Sequence, residues 1–400
     1  MKKIGWICLA ILLSRPCVWT QRSGDVKELP LFTRCTNYEN NLSAIAADIE
    51  FIVLDQEPLI SDFHVMDVTL IDDYIFLQGM YDIRQYDRTG KFIRNIGSRG
   101  MGPAEYVQLN PPLEVVPSKQ LIYAHDIRRS RINLYTFDGK FVKTVPNPSK
   151  RTFTILDDQT IALRQSMQDH KTKNCPSISF MDHAGKDIKS YPSRIYPTDV
   201  EMFSFFPEAS FLWQNNGKFY HLESGADTIY RLNGTNLEPV WVLTGNLKPT
   251  MNELFARNMG SKRKIVSGIL RPDCGVFEGD RYMIIKLNGD TESYYMIYDK
   301  AAAKFSRTHY PNAPVANPRT EMRRMDHFID DIATGRPFRP EYQSQGKLIG
   351  YLSAIDIAEN QQEILDYIQK HPNKNSEKMR KIVQEIDEED NSILVVVSLK

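Results

Sequence analysis

The sequence predicts an all-β fold, specifically a β-propeller of four-stranded blades, and three observations lead to this prediction. A strand–turn–strand unit with a polar residue and a glycine at its turn recurs along the chain. Successive turns lie about fifty residues apart, which is too long for a ladder of simple hairpins and suits one turn per blade. The nineteen tyrosines and nineteen phenylalanines favour sheet over helix.

The N-terminus predicts export. A basic start is followed by an apolar run at residues 4–13, which fits a secretory signal within residues 1–24 and is too short to span a bilayer. The alternative is a buried first strand. Cys17 stands where a lipoprotein would carry its acylated cysteine, but Arg15 and Pro16 replace the small residues expected before it. We expect a location in the periplasm or at the cell surface; the sequence does not favour a lipid anchor, although membrane association through the N-terminus stays open.

The recurring unit follows a common chemistry in each copy. An acidic or amide residue opens the turn and can accept hydrogen bonds from the backbone ahead, and a glycine, where present, tolerates positive φ. The copies are IRQYDRTGKFI (83–93), NLYTFDGKFV (133–142), SFMDHAGKDI (179–188), TIYRLNGTNLEPV (228–240) and YYMIYDKAAAKF (294–305).

The last part of the chain departs from this unit. Residues 250–266 have helical spacing and a capping box, which predicts a helical insertion in one blade. Residues 354–370 and 376–386 also predict helices, separated by a His-Pro-Asn breaker. The strongly apolar strand at 390–400 would be an aggregation hazard as an exposed edge, so we expect it to close the propeller beside residues 48–54.

The segment 90–140 resembles an NHL-type repeat, with GKF at 90–92, GSRGMGPAEY at 97–106, DIRRSRI at 126–132 and DGKF at 138–141. The chain from residue 25 to residue 400 is similar to a family of six-bladed β-propellers (NHL/TolB-like) found as exported proteins and lipoproteins in Bacteroidetes. The opening strand at 49–60 and the end of the chain at 389–400 carry this wider resemblance. It implies six blades in one domain, residues 25–400, and no firmly assigned activity.

The glycine-rich loop at 97–102 could cradle a phosphate, but its context does not fit. A dinucleotide loop joins a strand directly to a helix, whereas Pro103 and a non-helical run follow here, and the Gly-Lys-Ser/Thr of a Walker loop is absent. We interpret the loop as a connector between blades, with glycines that serve positive φ.

The histidines show neither HxH nor HExxH spacing, patterns that would indicate a metal site. Propeller ligands can come from distant blades, so a central metal site stays open. Its candidate ligands are His64, His125, His221, Asp62, Asp67, Asp126 and Glu223. We nevertheless expect no metal, no cofactor and no identifiable catalytic residue.

Cysteine chemistry is similarly weak. Cys175 has His170 and His183 nearby in sequence, but no nucleophile motif surrounds it. Cys35, Cys175 and Cys274 allow one disulfide, although buried free thiols are the more ordinary state.

Two basic stretches could contact an acidic ligand. In the first, Asp126 and Arg131 predict a salt bridge or turn cap within a blade, with Arg128 and Arg129 beside them. The second contains Arg319, Arg323, Arg324, Arg336 and Arg339, interleaved with Phe328, Phe338 and Tyr342. Because 50 basic residues balance 50 acidic ones, we do not expect nucleic-acid binding. A solvated loop face or a rim that contacts a glycan or peptide fits better.

Two function hypotheses follow. The first is a monomeric, non-catalytic binding or scaffolding module for a peptide, glycan or protein partner. The second is a metal-dependent hydrolase or lyase with a site in the central channel, which would require at least three of the candidate ligands to converge at the axis.

Overall fold

The computed structural model describes residues 26–60, 65–164, 176–193, 210–223, 226–248, 269–270, 276–288, 293–310 and 327–400. The predicted signal region at 1–24 and the predicted helical insertion at 250–266 lie outside the described residues.

Six sheets, antiparallel apart from one added strand, form the six blades of a β-propeller, which confirms the predicted fold class. The first two strands of the chain, β1 (Lys27–Leu29) and β2 (Ala46–Ile52), join sheets that later strands build. Blade 1 consists of β3 (Val65–Leu70), β4 (Tyr74–Gly79), β5 (Ile83–Asp87) and β6 (Phe92–Asn95). Blade 2 consists of β7 (Leu109–Val116), β8 (Leu121–Asp126), β9 (Arg131–Thr136) and β10 (Phe141–Pro146). Blade 3 consists of β11 (Phe153–Ile155), β12 (Ile161–Arg164), β13 (Pro176–Met181) and β14 (Asp187–Pro192).

The remaining blades follow the same order with local additions. Blade 4 consists of β15 (Ser210–Asn215), β16 (Lys218–Glu223), β17 (Thr228–Asn233) and β18 (Asn236–Leu243), and β1 adds a parallel fifth strand. Blade 5 contains β19 (Ile269–Leu270), β20 (Val276–Glu278), β21 (Tyr282–Asn288), β22 (Ser293–Asp299) and β23 (Lys304–Arg307). A small hairpin, β24 (Phe328–Ile329) and β25 (Pro337–Phe338), precedes blade 6. Blade 6 contains β26 (Tyr342–Ser344), β27 (Lys347–Leu352) and β28 (Ile393–Leu399), with β2 as its outer strand.

The recurring sequence unit is the outer hairpin of blades 1 to 5. In blade 1 the Asp87 carboxylate accepts hydrogen bonds from the backbone N–H groups of Thr89 and Lys91, at 2.8 and 3.1 Å. Asp182 makes the same pair of bonds in blade 3, at 2.8 and 2.9 Å. Gly90 has a φ of 93°, so the predicted turn chemistry is present.

Blade 6 closes the ring with strands from both ends of the chain. β28 pairs with β27 on one side and with β2 on the other, where Ile49 lies opposite Val397. This arrangement confirms the predicted closure and buries Val395, Val396 and Val397, which would otherwise form an apolar edge.

The N-terminal segment also runs along the outer edges of blades 4 and 5, which the sequence did not predict. After β1 pairs with β18, the Glu39 N–H donates to Arg307 O of β23 at 2.9 Å, and Arg307 N donates to Asn37 O. A 3₁₀ turn at Leu42–Ala44 then leads into β2. The segment therefore satisfies exposed backbone groups on three successive blades.

Three helices lie between β27 and β28: α1 (Ala354–Glu359), α2 (Gln361–Lys370) and α3 (Lys374–Glu385). The predicted single helix at 354–370 is wrong in one respect, because it breaks at Asn360. The Asn360 side chain donates to Asp356 O at 2.7 Å, a local side-chain bond that competes with continued helix. α3 begins with a capping box between Asn373 and Ser376.

Apolar clusters fill the spaces between neighbouring blades. The largest, between blades 5 and 6, also holds the buried faces of the helices, including Ile357, Ile364 and Met379. The smallest lies between blades 3 and 4 and contains Ala162, Ile178, Phe180 and Leu232 among the described residues. No helix in the described ranges is long and apolar enough to cross a membrane.

Candidate functional site at the propeller axis

Two carboxyl groups lie on neighbouring strands at the propeller axis. Asp67 is on β3 and Glu114 is on β7, the innermost strands of blades 1 and 2. Asp67 accepts from Val68 N at 3.0 Å and, across the blade interface, from Leu113 N at 2.7 Å. Glu114 accepts from the Thr154 side chain and the backbone of Ile155 in blade 3. Each carboxyl group therefore joins its own blade to the next.

Both acids favour the protonated state more than free carboxyl groups do. Burial raises the pKa of Asp67 to about 6 and the pKa of Glu114 to about 7, against the opposing effect of their hydrogen bonds. Asp67 itself raises the pKa of Glu114 further, because like charges oppose ionisation. Both side chains are nevertheless only partly buried. Their side chains thus lie deep in the protein but keep some contact with solvent.

Arg164 provides positive charge to the same region. It ends β12 in blade 3, and its guanidinium lowers the pKa of both Asp67 and Glu114, although burial outweighs it. Its charge also disfavours protonation of His221 in blade 4. Arg164 therefore lies within electrostatic reach of side chains from three other blades: Asp67, Glu114 and His221. Two protonatable acids beside a fixed cation form an arrangement typical of functional sites.

The interface between blades 3 and 4 continues this polar region. His221 is 1% exposed, and its Nε2 lies 2.8 Å from Ser177 Oγ. Burial lowers the pKa of His221 to about 4, so the imidazole is neutral near pH 7. Ser193 donates to the Glu223 carboxylate in the same interface. Buried polar groups thus take the place of part of the apolar packing at this position.

His125 occupies a separate buried position in blade 2. Its Nε2 lies 3.1 Å from Asn147 Nδ2, an atom that can only donate, so Nε2 is the acceptor and Nδ1 carries the proton. Burial lowers the pKa of His125 to about 4. Its neighbours are Asn147 and the Phe153 ring rather than other ionisable groups. His125 is therefore a core histidine in this environment.

The candidate metal ligands do not converge among the described residues. Asp62 and His64 lie outside the described ranges. Asp126 is fully buried, with its Oδ2 3.7 Å from Arg131 Nε, as predicted for a salt bridge within the blade. No group of three or more His, Cys, Asp or Glu side chains is placed to hold a metal ion in the part of the chain that the structure describes.

The glycine-rich loop connects β6 to β7, as we interpreted it. Arg131 Nη2 and Asn133 Nδ2 donate to Glu105 O at 2.6 and 3.1 Å, and Tyr135 Oη donates to Ala104 O at 2.9 Å. These bonds explain why the linker motif and the following Arg-Ile strand occur together.

The explanation offered for the three loop glycines was partly wrong. Gly97 has a φ of 66°, but Gly100 and Gly102 are not in the left-handed region. A Cβ at Gly100 would lie 2.1 Å from the Glu105 carboxylate, which accepts from Gly102 N at 2.5 Å. Those two glycines make room for the Glu105 side chain.

Several residues of the cysteine and basic-stretch hypotheses lie outside the described ranges. His170, Cys175 and Cys274 lie outside them, as do Arg319, Arg323 and Arg324. Cys35 is a half-buried free thiol, so the possible disulfide stays a prediction. His183 Nε2 contacts Asp157 O at 3.1 Å.

The aromatic residues of the second basic stretch are not a surface feature. Phe328 and Phe338 are 0% and 2% exposed, and the Tyr342 hydroxyl donates to Val65 O at 3.1 Å. Of the arginines there, Arg336 forms a 2.7 Å ion pair with Asp356. The interleaved pattern therefore reflects packing around blade 6, because Phe328 and Phe338 belong to the hairpin before it and Tyr342 bonds to blade 1.

Sequence reasoning named Asp67 and His221 but missed Glu114 and Arg164. Glu114 interrupts the apolar run at 113–116, and Arg164 ends the apolar strand that begins at Ile161. A charged residue inside a short apolar strand was the available signal, because such a position requires a partner when it is buried.

The chain is similar to two solved structures, and the first of them shares its fold. A Bacteroides fragilis protein inferred to be exported superposes with a TM-score of 0.66 at 17% identity, covering 91% of this chain and 99% of its own. A DUF4221 family member from Bacteroides vulgatus gives a TM-score of 0.49 at 12% identity, covering 89% and 97%. None of the curated proteins matches the chain.

The sequence itself identifies the family. Residues 30–398 match the family described as Domain of unknown function DUF4934, which is nearly the whole propeller. The NHL/TolB-like resemblance stays an expectation beside this match. The chain belongs to the DUF4934 family.

Proposed function

We propose that the protein is an exported, non-catalytic binding module that holds a peptide, glycan or protein partner at the axial site. The observation that carries the proposal is the convergence of Asp67, Glu114 and Arg164 from three blades, with the buried His221 of blade 4 beside Arg164. Propellers place ligand sites at the ends of such an axis, where loops and inner strands meet.

The charge state of the site indicates which ligand groups fit. Near pH 7 Glu114 is close to its midpoint and can accept or donate a hydrogen bond, whereas Asp67 is mostly ionised and mainly accepts. Arg164 donates only, and His221 is buried against Ser177, so it borders the site without being open to a ligand. Hydroxyl and amide groups also donate and accept, so the site favours sugar hydroxyls and peptide amides over strongly charged groups.

Binding is favoured over the metal-dependent hydrolase or lyase by the arrangement of the described side chains. Metal-dependent chemistry of that kind uses three or more protein ligands around one ion, and the described residues contain no such group. Export is supported by the basic and apolar start of the sequence and agrees with the inferred export of the Bacteroides fragilis protein.

The proposal is tested by applying the purified protein to peptide and glycan arrays, then measuring affinity for the best ligand by calorimetry. We expect wild-type affinity to fall as the pH rises through about 7, because Glu114 loses the proton it donates. Glutamine in Glu114→Gln keeps a hydrogen-bond donor at every pH, so the affinity of this variant for the ligand should not change with pH. Arg164→Gln should weaken binding, whereas Arg281→Gln, which changes a surface ion pair in blade 5, should not.

Two results would contradict the proposal. One is the absence of any selective array ligand. The other is an affinity that Arg164→Gln and Glu114→Gln leave unchanged at all pH values, which would place binding elsewhere on the surface.

A further inference from the structure

A pocket of about 300 Å³ opens beside blade 6, and it shares no residue with the axial site. Its walls are the segment that leads into β26, the end of β27 and the start of α1. The lining residues are Pro337, Arg339, Glu341, Tyr351, Leu352, Ser353 and Asp356. The volume is at the lower end of the range for small-molecule sites, which runs from roughly 300 to 1,000 Å³.

The wall that carries Arg339 is rigid. Side chains alternate along this extended segment, so that Phe338 and Pro340 are buried while Arg339 and Glu341 face the pocket. A Cβ at Gly350 would lie 2.3 Å from Arg339 O, which shows how closely the two backbones pack. Glu341 N donates to Ile349 O at 2.8 Å, so the segment is held at its other end as well.

Arg339 is a cation with no acidic partner among the described residues. Its Nε is buried and makes no hydrogen bond within the described structure. The neighbouring Arg336, by contrast, forms an ion pair with Asp356 at 2.7 Å. A half-buried guanidinium without a counter-ion is costly, and a bound anion would offset that cost. The other N–H groups of the planar Arg339 guanidinium can donate paired hydrogen bonds to a carboxylate.

The other polar groups restrict the ligand further. Tyr351 and Ser353 line the same pocket as Arg339, and each carries a hydroxyl that can donate or accept a hydrogen bond. Glu341 and Asp356, the latter paired with Arg336, add carboxylates to the same walls, which disfavours a doubly charged phosphate and favours hydroxyl or ammonium groups. We infer that this pocket binds a small monocarboxylate that also carries hydroxyl or ammonium groups, with Arg339 holding the carboxylate.

Calorimetry and ligand-observed NMR on the purified protein test this inference. D-glucuronate is the hydroxyl-bearing probe and L-serine is the ammonium-bearing probe; glucose and inorganic phosphate are the comparison compounds. We expect at least one of the two carboxylates to bind, and to bind more tightly than glucose or phosphate. The stronger carboxylate identifies the type of ligand.

Substitutions of pocket residues test whether the carboxylate binds in this pocket. Arg339→Gln should weaken the bound carboxylate roughly tenfold or more, since a charged hydrogen-bond pair is lost. Tyr351→Phe, which keeps the ring and removes only the hydroxyl, should weaken it severalfold and serves if the arginine variant does not fold. Arg281→Gln and Glu114→Gln should bind as the wild type does, which separates this pocket from the axial site.

The inference is overturned if neither carboxylate binds, or if phosphate binds more tightly than both. It is equally overturned if Arg339→Gln folds and binds the carboxylate as tightly as the wild type does. If Arg339→Gln does not fold, the same result with Tyr351→Phe overturns it.

Discussion

Replacing Glu114 with glutamine should stabilise the protein at high pH and leave it almost unchanged at low pH. The folded protein raises the pKa of this carboxyl from 4.5 to about 7, so folding favours the protonated form. The unfolded chain loses its proton near pH 4.5, and the folded chain keeps it until about pH 7. Stability that is present below pH 4.5 is therefore lost as the pH rises through this window.

The size of the effect follows from the shift. Each pKa unit corresponds to about 1.4 kcal/mol, so ionised Glu114 costs at most about 3 kcal/mol of folding free energy above pH 7. Glutamine keeps an oxygen that can accept from Thr154 and Ile155, and it carries no charge to bury. We expect Glu114→Gln to gain roughly 1–3 kcal/mol at pH 8 and close to zero at pH 4.5.

The assay is thermal unfolding by differential scanning calorimetry at both pH values. For a chain of 400 residues, 1 kcal/mol corresponds to roughly 1–2 °C in Tm, so the expected gain at pH 8 is roughly 1–6 °C. Glu359→Gln, which removes a charge from the exposed face of α1, is the matched control and should show no such pH dependence.

One result would refute the reasoning. If Glu114→Gln lowers Tm equally at pH 4.5 and pH 8, the ionised carboxylate is an anchor between blades 2 and 3, and burial does not oppose its charge.

Two further predictions concern the axis and the closure of the ring. Asp67→Asn should reduce the stability gained by Glu114→Gln at pH 8, because Asp67 contributes to the raised pKa of Glu114. A double-mutant cycle should give a coupling energy of roughly 0.5–1 kcal/mol between the two substitutions. Additive effects would show that the two carboxyl groups are independent. Gly90→Ala should cost roughly 2 kcal/mol or more beyond Gly217→Ala in unfolding free energy, and equal losses would contradict it. Both glycines have positive φ, but only at Gly90 would a Cβ meet a backbone atom, 2.0 Å from Val53 O.

The blade architecture could be predicted because local chemistry repeats in each blade. A turn such as the one at Asp87 and Gly90 specifies a hairpin from a few neighbouring residues, and its spacing along the chain reveals the blade. The closing strand was predictable for a different reason, since an apolar run as strong as residues 393–397 requires partners on both sides. The pairing of β1 with blade 4 carried no comparable signal, because it involves three residues and a parallel register.

The axial site could be predicted only in part because its members come from different blades. Glu114 and Arg164 are fifty residues apart, and nothing local connects them. Which face a strand residue occupies depends on register, and β7 has an irregularity between Asn110 and Glu114. Counting alternate residues along β7 therefore could not predict that Glu114 faces the axis. His125 and Asp126 looked equally suitable in sequence, but the structure engages them in contacts within the core.

The most direct test of binding at the axis is a crystal structure of the protein with the ligand selected on the arrays. The proposed function predicts that ligand hydroxyl or amide groups lie within hydrogen-bond distance of Glu114 and Arg164. A ligand bound on the outer strands of the blades, with the axial side chains untouched, would contradict it.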